Sequence, residues 1–190
     1  MASTMRVRRS RSDRRRVLDA ATELFLDGGL QQTTIDMVAD RAGFPRKTVQ
    51  RLYPIKRLLA TDVAEDMCHR AVDRVRRHQP RDIDHLIDTL AIWTYVGTTR
   101  TGWVRLYNEV ATVDHPYAID TSERRERLRE ALSELLTNVT SCHPSRAEAT
   151  ADFLLTVAIG LAAQKVDSTD LQLATIRRQI GIVLRGARGT

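Results

Sequence analysis

The stretch TTIDMVADRAGFPRKTVQRLYPIKRLL, residues 33–59, decides the fold of this protein. Its first third predicts a short helix with Ile35 and Val38 on the buried side, because apolar residues recur there at the helical period. Gly43 then interrupts the pattern, and a second short helix follows with Val49 facing inward. Two helices joined by a short turn with a glycine form a helix-turn-helix, whose second helix fits a DNA major groove roughly 12 Å wide.

The outer side of the second helix is predicted to be cationic. Its exposed residues are expected to be Arg46, Lys47, Gln50 and Arg51. Arginine or lysine can pair with the edge of guanine, and glutamine can pair with the edge of adenine. Two more side chains are placed for phosphate contacts, Thr34 beside a helix N-terminus and Lys56 at the start of the following helix.

The positive charge of the chain is concentrated at its N-terminus. The net charge is +6, and residues 1–16 alone hold seven arginines against one acidic residue, Asp13. The rest of the chain is therefore close to neutral. A basic block on a near-neutral body favours an anionic polymer as partner, although short basic tails also occur merely as solubility aids.

Length and composition predict a globular protein outside the membrane. The chain has 190 residues, which suffices for a hydrophobic core. Its longest mainly apolar run, residues 153–163, is shorter than the ~20 residues that span a bilayer. The first arginines are not followed by an apolar signal segment, so we expect a cytoplasmic protein. Cys68 and Cys142 are isolated, and we expect no disulfide framework, no metal and no cofactor.

Helical periodicity continues along the whole chain, whereas the alternation typical of strands is lacking. The sequence therefore predicts an all-α protein of about nine helices. The first helix is expected over residues 12–27, and the long fourth helix over about residues 54–77. Thr33 and Asp36 are expected to form a capping box at the start of the second helix.

Aromatic residues on two consecutive predicted helices indicate a ligand pocket. A largely apolar pocket with a few polar groups is the usual site for a small molecule. Asn108 and His85 are expected to add polar groups to it. The alternative is that these aromatic residues belong to an ordinary core. The predicted ligand-binding residues are Trp93, Tyr95, Arg100, Trp103 and Tyr107.

The last two helices are the predicted dimer interface. Two half-sites in DNA need two copies of the reading helix, one helical turn or roughly 34–36 Å apart. Pairing two apolar helices with their copies would give a four-helix bundle, and the alternative is that both are internal core. The predicted interface residues are Phe153, Val157, Leu161, Leu173, Ile176, Ile180 and Val183.

Over about residues 14–60 the sequence resembles the TetR family of one-component transcriptional regulators. The family pattern combines an Arg-led first helix containing Ala-Ala-x-x-Leu-Phe, a Gly, a Thr-Thr pair, an Ala-Gly turn and a final Lys-x-x-Leu. The positions that match are Leu18, Ala20, Ala21, Leu24, Phe25, Gly29, Thr33, Thr34, Val38, Ala39, Ala42, Gly43, Phe44, Thr48, Val49, Tyr53, Lys56 and Leu59. Three positions depart from the pattern: Pro45 replaces a serine, Gln50 a tyrosine and Arg57 a glutamate.

The resemblance implies a basic flexible arm (1–12), a three-helix helix-turn-helix DNA-binding domain (13–60) and a helical ligand-binding and dimerisation domain (61–190). It further implies a homodimeric repressor that a small, largely apolar effector releases from a palindromic operator in double-stranded DNA. The residues expected to contact DNA are Arg14, Thr34, Arg46, Lys47, Thr48, Gln50, Arg51, Tyr53 and Lys56.

Other functions stay open at this point. The five histidines are scattered and lie in no catalytic motif, so we expect no enzyme. A non-specific DNA-binding protein would bind without sequence preference and with strong salt dependence. A ligand sensor that has lost operator binding is the third alternative, and Gln50 and Arg57 are the departures that keep it open.

Overall fold

A computed structural model describes residues 2–98, 106, 109, 121–163 and 169–188. The regular structure within these ranges is helical, as the sequence predicts, and comprises eight helices. They are α1 (Ala2–Gly28), α2 (Ile35–Ala42), α3 (Arg46–Leu52), α4 (Lys56–Arg77), α5 (Ile83–Thr98), α6 (Ser122–Thr140), α7 (Pro144–Ala163) and α8 (Thr169–Arg188).

The first helix starts earlier than the sequence analysis expects. It begins at Ala2 rather than near Ser12, so the basic N-terminal segment continues α1 instead of forming a separate flexible arm. The segment contains no proline or glycine, and arginine is a good helix former. The seven arginines of residues 6–16 are therefore carried on a helix.

The N-terminal cap of α2 is Thr34, not Thr33. The Thr34 Oγ1 accepts a hydrogen bond from the Met37 amide at 3.2 Å. Thr33 is buried instead, and its hydroxyl donates to the Gly29 carbonyl at 2.9 Å. Either threonine fits a cap pattern in the sequence, but only the exposed one is free of the core and able to reach the amide.

Two hydrophobic cores follow each other along α4. The first encloses α1 to α3 and the beginning of α4, with Phe25, Tyr53, Leu59 and Val63 among its buried side chains. The second begins with Val72 and contains buried residues of α5 to α8. One continuous helix thus joins the helix-turn-helix to the remaining helices, so a displacement of α4 affects both cores.

Helices α5 to α8 pack mainly as the pairs α5 with α8 and α6 with α7, and α4 lies against α6. Asp82 caps α5, because its Oδ1 accepts a hydrogen bond from the His85 amide at 2.8 Å. Among the helices in the described ranges, none has the length and apolar character to cross a membrane.

Candidate DNA-binding surface and effector cavity

The turn between α2 and α3 depends on Gly43. Its φ of 69° and ψ of 39° lie in the left-handed region, where a side chain is strained. The Gly43 and Phe44 amides donate to the carbonyls of Asp40 and Ala39, at 3.1 and 2.9 Å, which closes the end of α2. The turn therefore reverses the chain within a few residues and sets the angle of α3.

Arg16 of α1 fixes this turn from outside. Its Nη2 donates to the Ala42 carbonyl at 2.8 Å, and its guanidinium lies 4.5 Å from the centre of the Phe44 ring. Sequence reasoning did not single out Arg16, because its neighbours in the basic run are also arginines. Only the packing of α1 against the turn distinguishes it.

The outer face of α3 is exposed and cationic. Lys47, Gln50 and Arg51 are exposed, whereas Val49 is fully buried in the first core. Within the described part of the chain, neither Lys47 nor Arg51 has an ion-pair partner. Two cations and an amide therefore extend from a helix whose orientation is fixed by the buried side.

Two other predicted DNA contacts are already engaged within the protein. Arg46 is exposed and forms an ion pair with Asp36 of α2. Arg14 forms an ion pair with Asp62 of α4, and its guanidinium lies 5.2 Å from the centre of the Tyr53 ring. Both arginines would have to exchange a carboxylate for a phosphate or a base edge on binding DNA.

Tyr53 has a structural role, which corrects its assignment as a DNA contact. Its side chain is 1% exposed, and its hydroxyl donates to Asp62 at 2.9 Å. Burial, followed by the nearby Asp62, raises the pKa of Tyr53 to about 12, so the hydroxyl keeps its proton at neutral pH. Tyrosine is amphipathic, and the sequence could not decide which end of it faces water.

The remaining predicted contacts flank α3. Thr34 is exposed at the N-terminus of α2, and Thr48 is half-buried in α3. Lys56 lies at the start of α4, where its Nζ donates to the Gln31 carbonyl at 3.3 Å. Thr34 and Lys56 thus sit at helix N-termini, which favour anions.

Ion pairs hold α1 against α4. Arg15 lies 2.7 Å from Asp66, and Arg70 lies 2.7 Å from Asp66 and 2.9 Å from Asp19. These ion pairs connect α1 with the middle of α4. Movement of α4 is therefore transmitted to the helix-turn-helix through charged contacts as well as through the first core.

Two adjoining cavities lie between α4 and the helices of the second core. The first encloses about 590 Å³, including the part that opens to solvent, and the second about 720 Å³ on the same basis. They share the lining residues Ala71, Leu128, Leu155 and Ala158 and are mostly apolar, and the two adjoining cavities are together called the elongated cavity.

Of the predicted ligand-binding residues, the structure describes only two, and one of these lines a cavity. Trp93 lines the second cavity, whereas Tyr95 packs against the second core without lining either cavity. Arg100, Trp103 and Tyr107, like Asn108, lie outside the described residues.

His85 lines neither cavity, so it does not supply the polar group that the sequence analysis expected from it. Its Nδ1 accepts from the Arg81 amide at 3.1 Å, because the start of α5 holds the ring at the helix end. Its ring packs edge-on against His78, which in turn contacts Trp93. Burial, with the charge of His85, lowers the pKa of His78.

Residues 106 and 109 link the first cavity to the helix-turn-helix. Leu106 is buried in the first core and also lines the first cavity. The carboxylate of Glu109 accepts from the Leu30 amide, in the segment between α1 and α2, at 3.0 Å. The sequence gives no signal for either contact, because both join residues far apart along the chain.

The predicted dimer residues differ in exposure between the last two helices: those on α7 are exposed or partly exposed, whereas two of those on α8 are buried. Phe153 is 51% exposed, and Val157 and Leu161 are partly exposed on the same helix. Ile176 and Ile180 are buried in the protein's own second core, because that side of α8 packs on α5.

The outer side of α8 carries a residue that the sequence analysis missed. Ile182 is 67% exposed, and Val183 beside it is partly exposed. Leu173, also in the predicted set, is partly buried against the second core. Periodicity alone cannot separate the two apolar sides of such a helix.

Comparison with known proteins places these features in a family. A family profile described as "Bacterial regulatory proteins, tetR family" matches residues 17–61, the segment of the helix-turn-helix. Among proteins of curated function, none matches the chain.

Several solved structures have the same fold over almost the whole chain. A TetR-family transcriptional regulator from Pectobacterium atrosepticum superposes with a TM-score of 0.71 at 16% identity, covering 94% of this chain and 95% of its own. A second regulator of the family, from Streptomyces coelicolor, gives 0.66 at 21% identity over 94% and 97%. Thermus thermophilus FadR, a TetR-family repressor solved with lauroyl-CoA, gives 0.57 at 23% identity over 93% and 95%.

The profile match falls on the segment where Gly43 turns the chain and α3 exposes its cations. The shared fold extends this likeness to the helices around the cavities. Together, the two findings show that residues 17–61 match the helix-turn-helix of the TetR family of bacterial regulatory proteins, and that the chain as a whole shares the fold of solved TetR-family regulators.

Proposed function

We propose that this protein is a homodimeric, sequence-specific repressor that a small, largely apolar effector releases from a palindromic operator. The observation that carries the proposal is the outer face of α3. Lys47, Gln50 and Arg51 project from a helix whose opposite side is anchored by the buried Val49. A rigid helix with unneutralised cations and one amide suits direct reading of base edges in a major groove.

Phosphate contacts around α3 would fix the position of the protein on the duplex. Thr34 and Lys56 lie at the N-termini of α2 and α4, and Arg14 and Arg46 are exposed beside them. Such contacts carry affinity rather than sequence information. The arginines of residues 6–16, carried on α1, would add attraction to the phosphates.

Dimerisation would use the outer sides of α7 and α8. Phe153, Val157 and Leu161 form an apolar stripe on α7, and Ile182 with Val183 continues it on α8. A two-fold interface of these helices would be a four-helix bundle that presents two α3 helices. A palindromic operator follows from that symmetry.

The effector would bind in the elongated cavity. Ala64, Met67, Cys68 and Ala71 of α4 line it, and Leu106 connects it to the first core. An occupant that displaces α4 or Leu106 would favour a state with the two reading helices at the wrong spacing. A ~100-fold loss of DNA affinity needs only about 2.7 kcal/mol of differential binding between the two states.

The proposal is tested by selection from a library of random DNA duplexes with the full-length protein at two salt concentrations. We expect enrichment of a two-fold symmetric sequence, with half-sites about one helical turn apart. Binding without enrichment, abolished by moderate salt, would instead identify a non-specific DNA-binding protein. Absence of binding even at low salt would identify a sensor that has lost operator recognition.

A further inference from the structure

The charged residues that line the elongated cavity are all arginines. The first cavity is lined by Arg124 and Arg125 among otherwise apolar residues and the Cys68 thiol. The second has Arg74 and the hydroxyl of Thr94 as its polar lining besides Trp93. No carboxylate occurs among the described residues that line either cavity, so an occupant would meet positive charge and none of the opposite sign.

Arg124 and Arg125 lie at one end of this space, in the first turn of α6. The helix dipole adds partial positive charge there. Glu123 occupies the same turn but does not line the cavity. The second cavity is lined mainly by apolar and aromatic residues such as Trp93, Leu90 and Leu132, and Arg74 is its one charged residue among the described lining.

The two arginines form ion pairs with carboxylates that lie outside the cavity lining. Arg125 lies 2.7 Å from Asp152, which is exposed. Glu65 is shared between Arg124, at 2.9 Å, and Arg127, at 2.7 Å. Glu65 is thus divided between two arginines, and neither Glu65 nor Asp152 lines the cavity.

Glu65 itself stays ionised in this cluster. Burial alone would raise its pKa, but the hydrogen bond from Arg127 and the charge of Arg124 outweigh burial and hold the pKa below its ordinary value. The Cys68 thiol, in contrast, is kept protonated because burial raises its pKa. The ionised Glu65 therefore keeps its pairing with both arginines at neutral pH, and the neutral Cys68 thiol adds no negative charge to the cavity.

We propose that the effector is an elongated amphiphile with one anionic head group, a carboxylate or a phosphate, bound at Arg124 and Arg125. Its alkyl chain extends past Leu128 and Leu155 towards Trp93. This inference rests on the proposed function, since it specifies the ligand of the same cavity. A charge-assisted pair between guanidinium and anion is strong where water is excluded, and the apolar walls reward each buried methylene by about 0.8 kcal/mol.

The inference is tested by calorimetric titration of the full-length protein with four probes that share a twelve-carbon chain. They are dodecanoate, dodecyl phosphate, dodecan-1-ol and dodecyltrimethylammonium. We expect the two anions to bind at least about tenfold more tightly than the alcohol, and the cation to bind most weakly. The ratio of dodecanoate to dodecyl phosphate affinity then tells which head group the site prefers.

Arg125→Gln is the test variant and Arg129→Gln its matched control. Both remove one positive charge from α6, but Arg129 pairs with Glu126 and Glu148 and does not line the cavity. We expect Arg125→Gln to weaken dodecanoate about tenfold while leaving dodecan-1-ol within about twofold. Arg129→Gln should change neither.

Each unfavourable outcome overturns the inference in a recognisable way. If the alcohol binds the wild type as tightly as the anions, or if the cation binds best, the effector has no anionic head group. The proposal of a largely apolar effector is then unaffected. If no probe binds, the amphiphile is wrong. If dodecanoate binds but leaves affinity for the selected duplex unchanged, the ligand class holds and the proposed release mechanism fails. The wild-type series decides the matter even if Arg125→Gln does not fold.

Discussion

The two halves of the molecule differ in whether their cationic side chains have ion-pair partners. On α3, Lys47 and Arg51 are exposed and lack an ion-pair partner among the described residues. Around the second core, several arginines are paired with carboxylates, as in Arg127 with Glu65 and Arg185 with Asp84. An unpaired cation can take up a phosphate or a base without first giving up a carboxylate. The difference therefore marks α3 as the surface for a polyanion.

The two hydrophobic cores also differ in how closely they are packed. The first is closed by large, fully buried side chains such as Phe25, Tyr53 and Leu59. The elongated cavity is lined mainly by residues of α4 and of the second core, and the first core reaches it only through residues such as Leu106 and Met67. A closely packed unit holds a reading helix rigidly, whereas a core with a cavity can change shape when a ligand enters. Four variants should separate the roles of the two halves, and we expect their effects to decrease in the order given below.

Removing both unpaired cations should have the largest effect. The double variant Lys47→Ala, Arg51→Ala is expected to bind the selected duplex at least ~100-fold more weakly, since each base-edge contact contributes about 1–3 kcal/mol. Fluorescence anisotropy at fixed salt measures the loss. The control Arg76→Ala, Arg81→Ala removes the same charge from the far end of α4 and the following loop, and it should change affinity less than about threefold. Equal losses in both variants would mean that net charge, not α3, determines binding.

Gly43→Ala should destabilise the helix-turn-helix by about 1–2 kcal/mol. The residue has a positive φ, and an added Cβ would come within 3.2 Å of Arg16 Nη2. Urea unfolding at a fixed protein concentration measures the change. Gly186→Ala in α8 is the matched control, because its Cβ would meet nothing within 4 Å, and its stability should be unchanged or higher by up to about 1 kcal/mol. Equal effects of both substitutions would contradict the strained turn.

Glu65→Gln should reduce stability by about 1 kcal/mol at pH 7, because the carboxylate is shared by two arginines. The pKa of Glu65 is depressed in the folded state, so its contribution is present above the ordinary value of 4.5 and is lost as pH falls through the folded-state pKa. Urea unfolding of wild type and variant from pH 7 to pH 3 should show the difference shrinking below about pH 4.5. A difference that is constant over this range would show that the ionised form contributes nothing.

Tyr53→Phe should have the smallest effect on DNA binding. It removes the hydroxyl that donates to Asp62, so we expect a loss of stability of about 1 kcal/mol. The buried ring remains, and affinity for the selected duplex should change less than about twofold. A tenfold loss of affinity at unchanged stability would restore Tyr53 as a DNA contact.

Sequence patterns were informative where structure is local. The inward position of Val49, the outward positions of Lys47 and Arg51, and the Asp82 cap all follow from periodicity and capping within a few residues. The predictions were wrong where two neighbouring residues fitted the same sequence pattern equally well. Thr33 and Thr34 fit the same cap, and Ile180 and Ile182 offer two apolar sides of one helix.

The sequence alone determined an all-helical chain with a helix-turn-helix at residues 33–59, and it determined which residues of α3 could be cationic and exposed. Only the tertiary structure decided that Tyr53 and Arg14 meet at Asp62, and that Leu106 belongs to both the first core and the cavity. It also decided that Arg124 and Arg125 lie at one end of that cavity. Turns and helix faces are set by interactions between neighbours along the chain, whereas these contacts join residues on different helices and exist only once the helices pack.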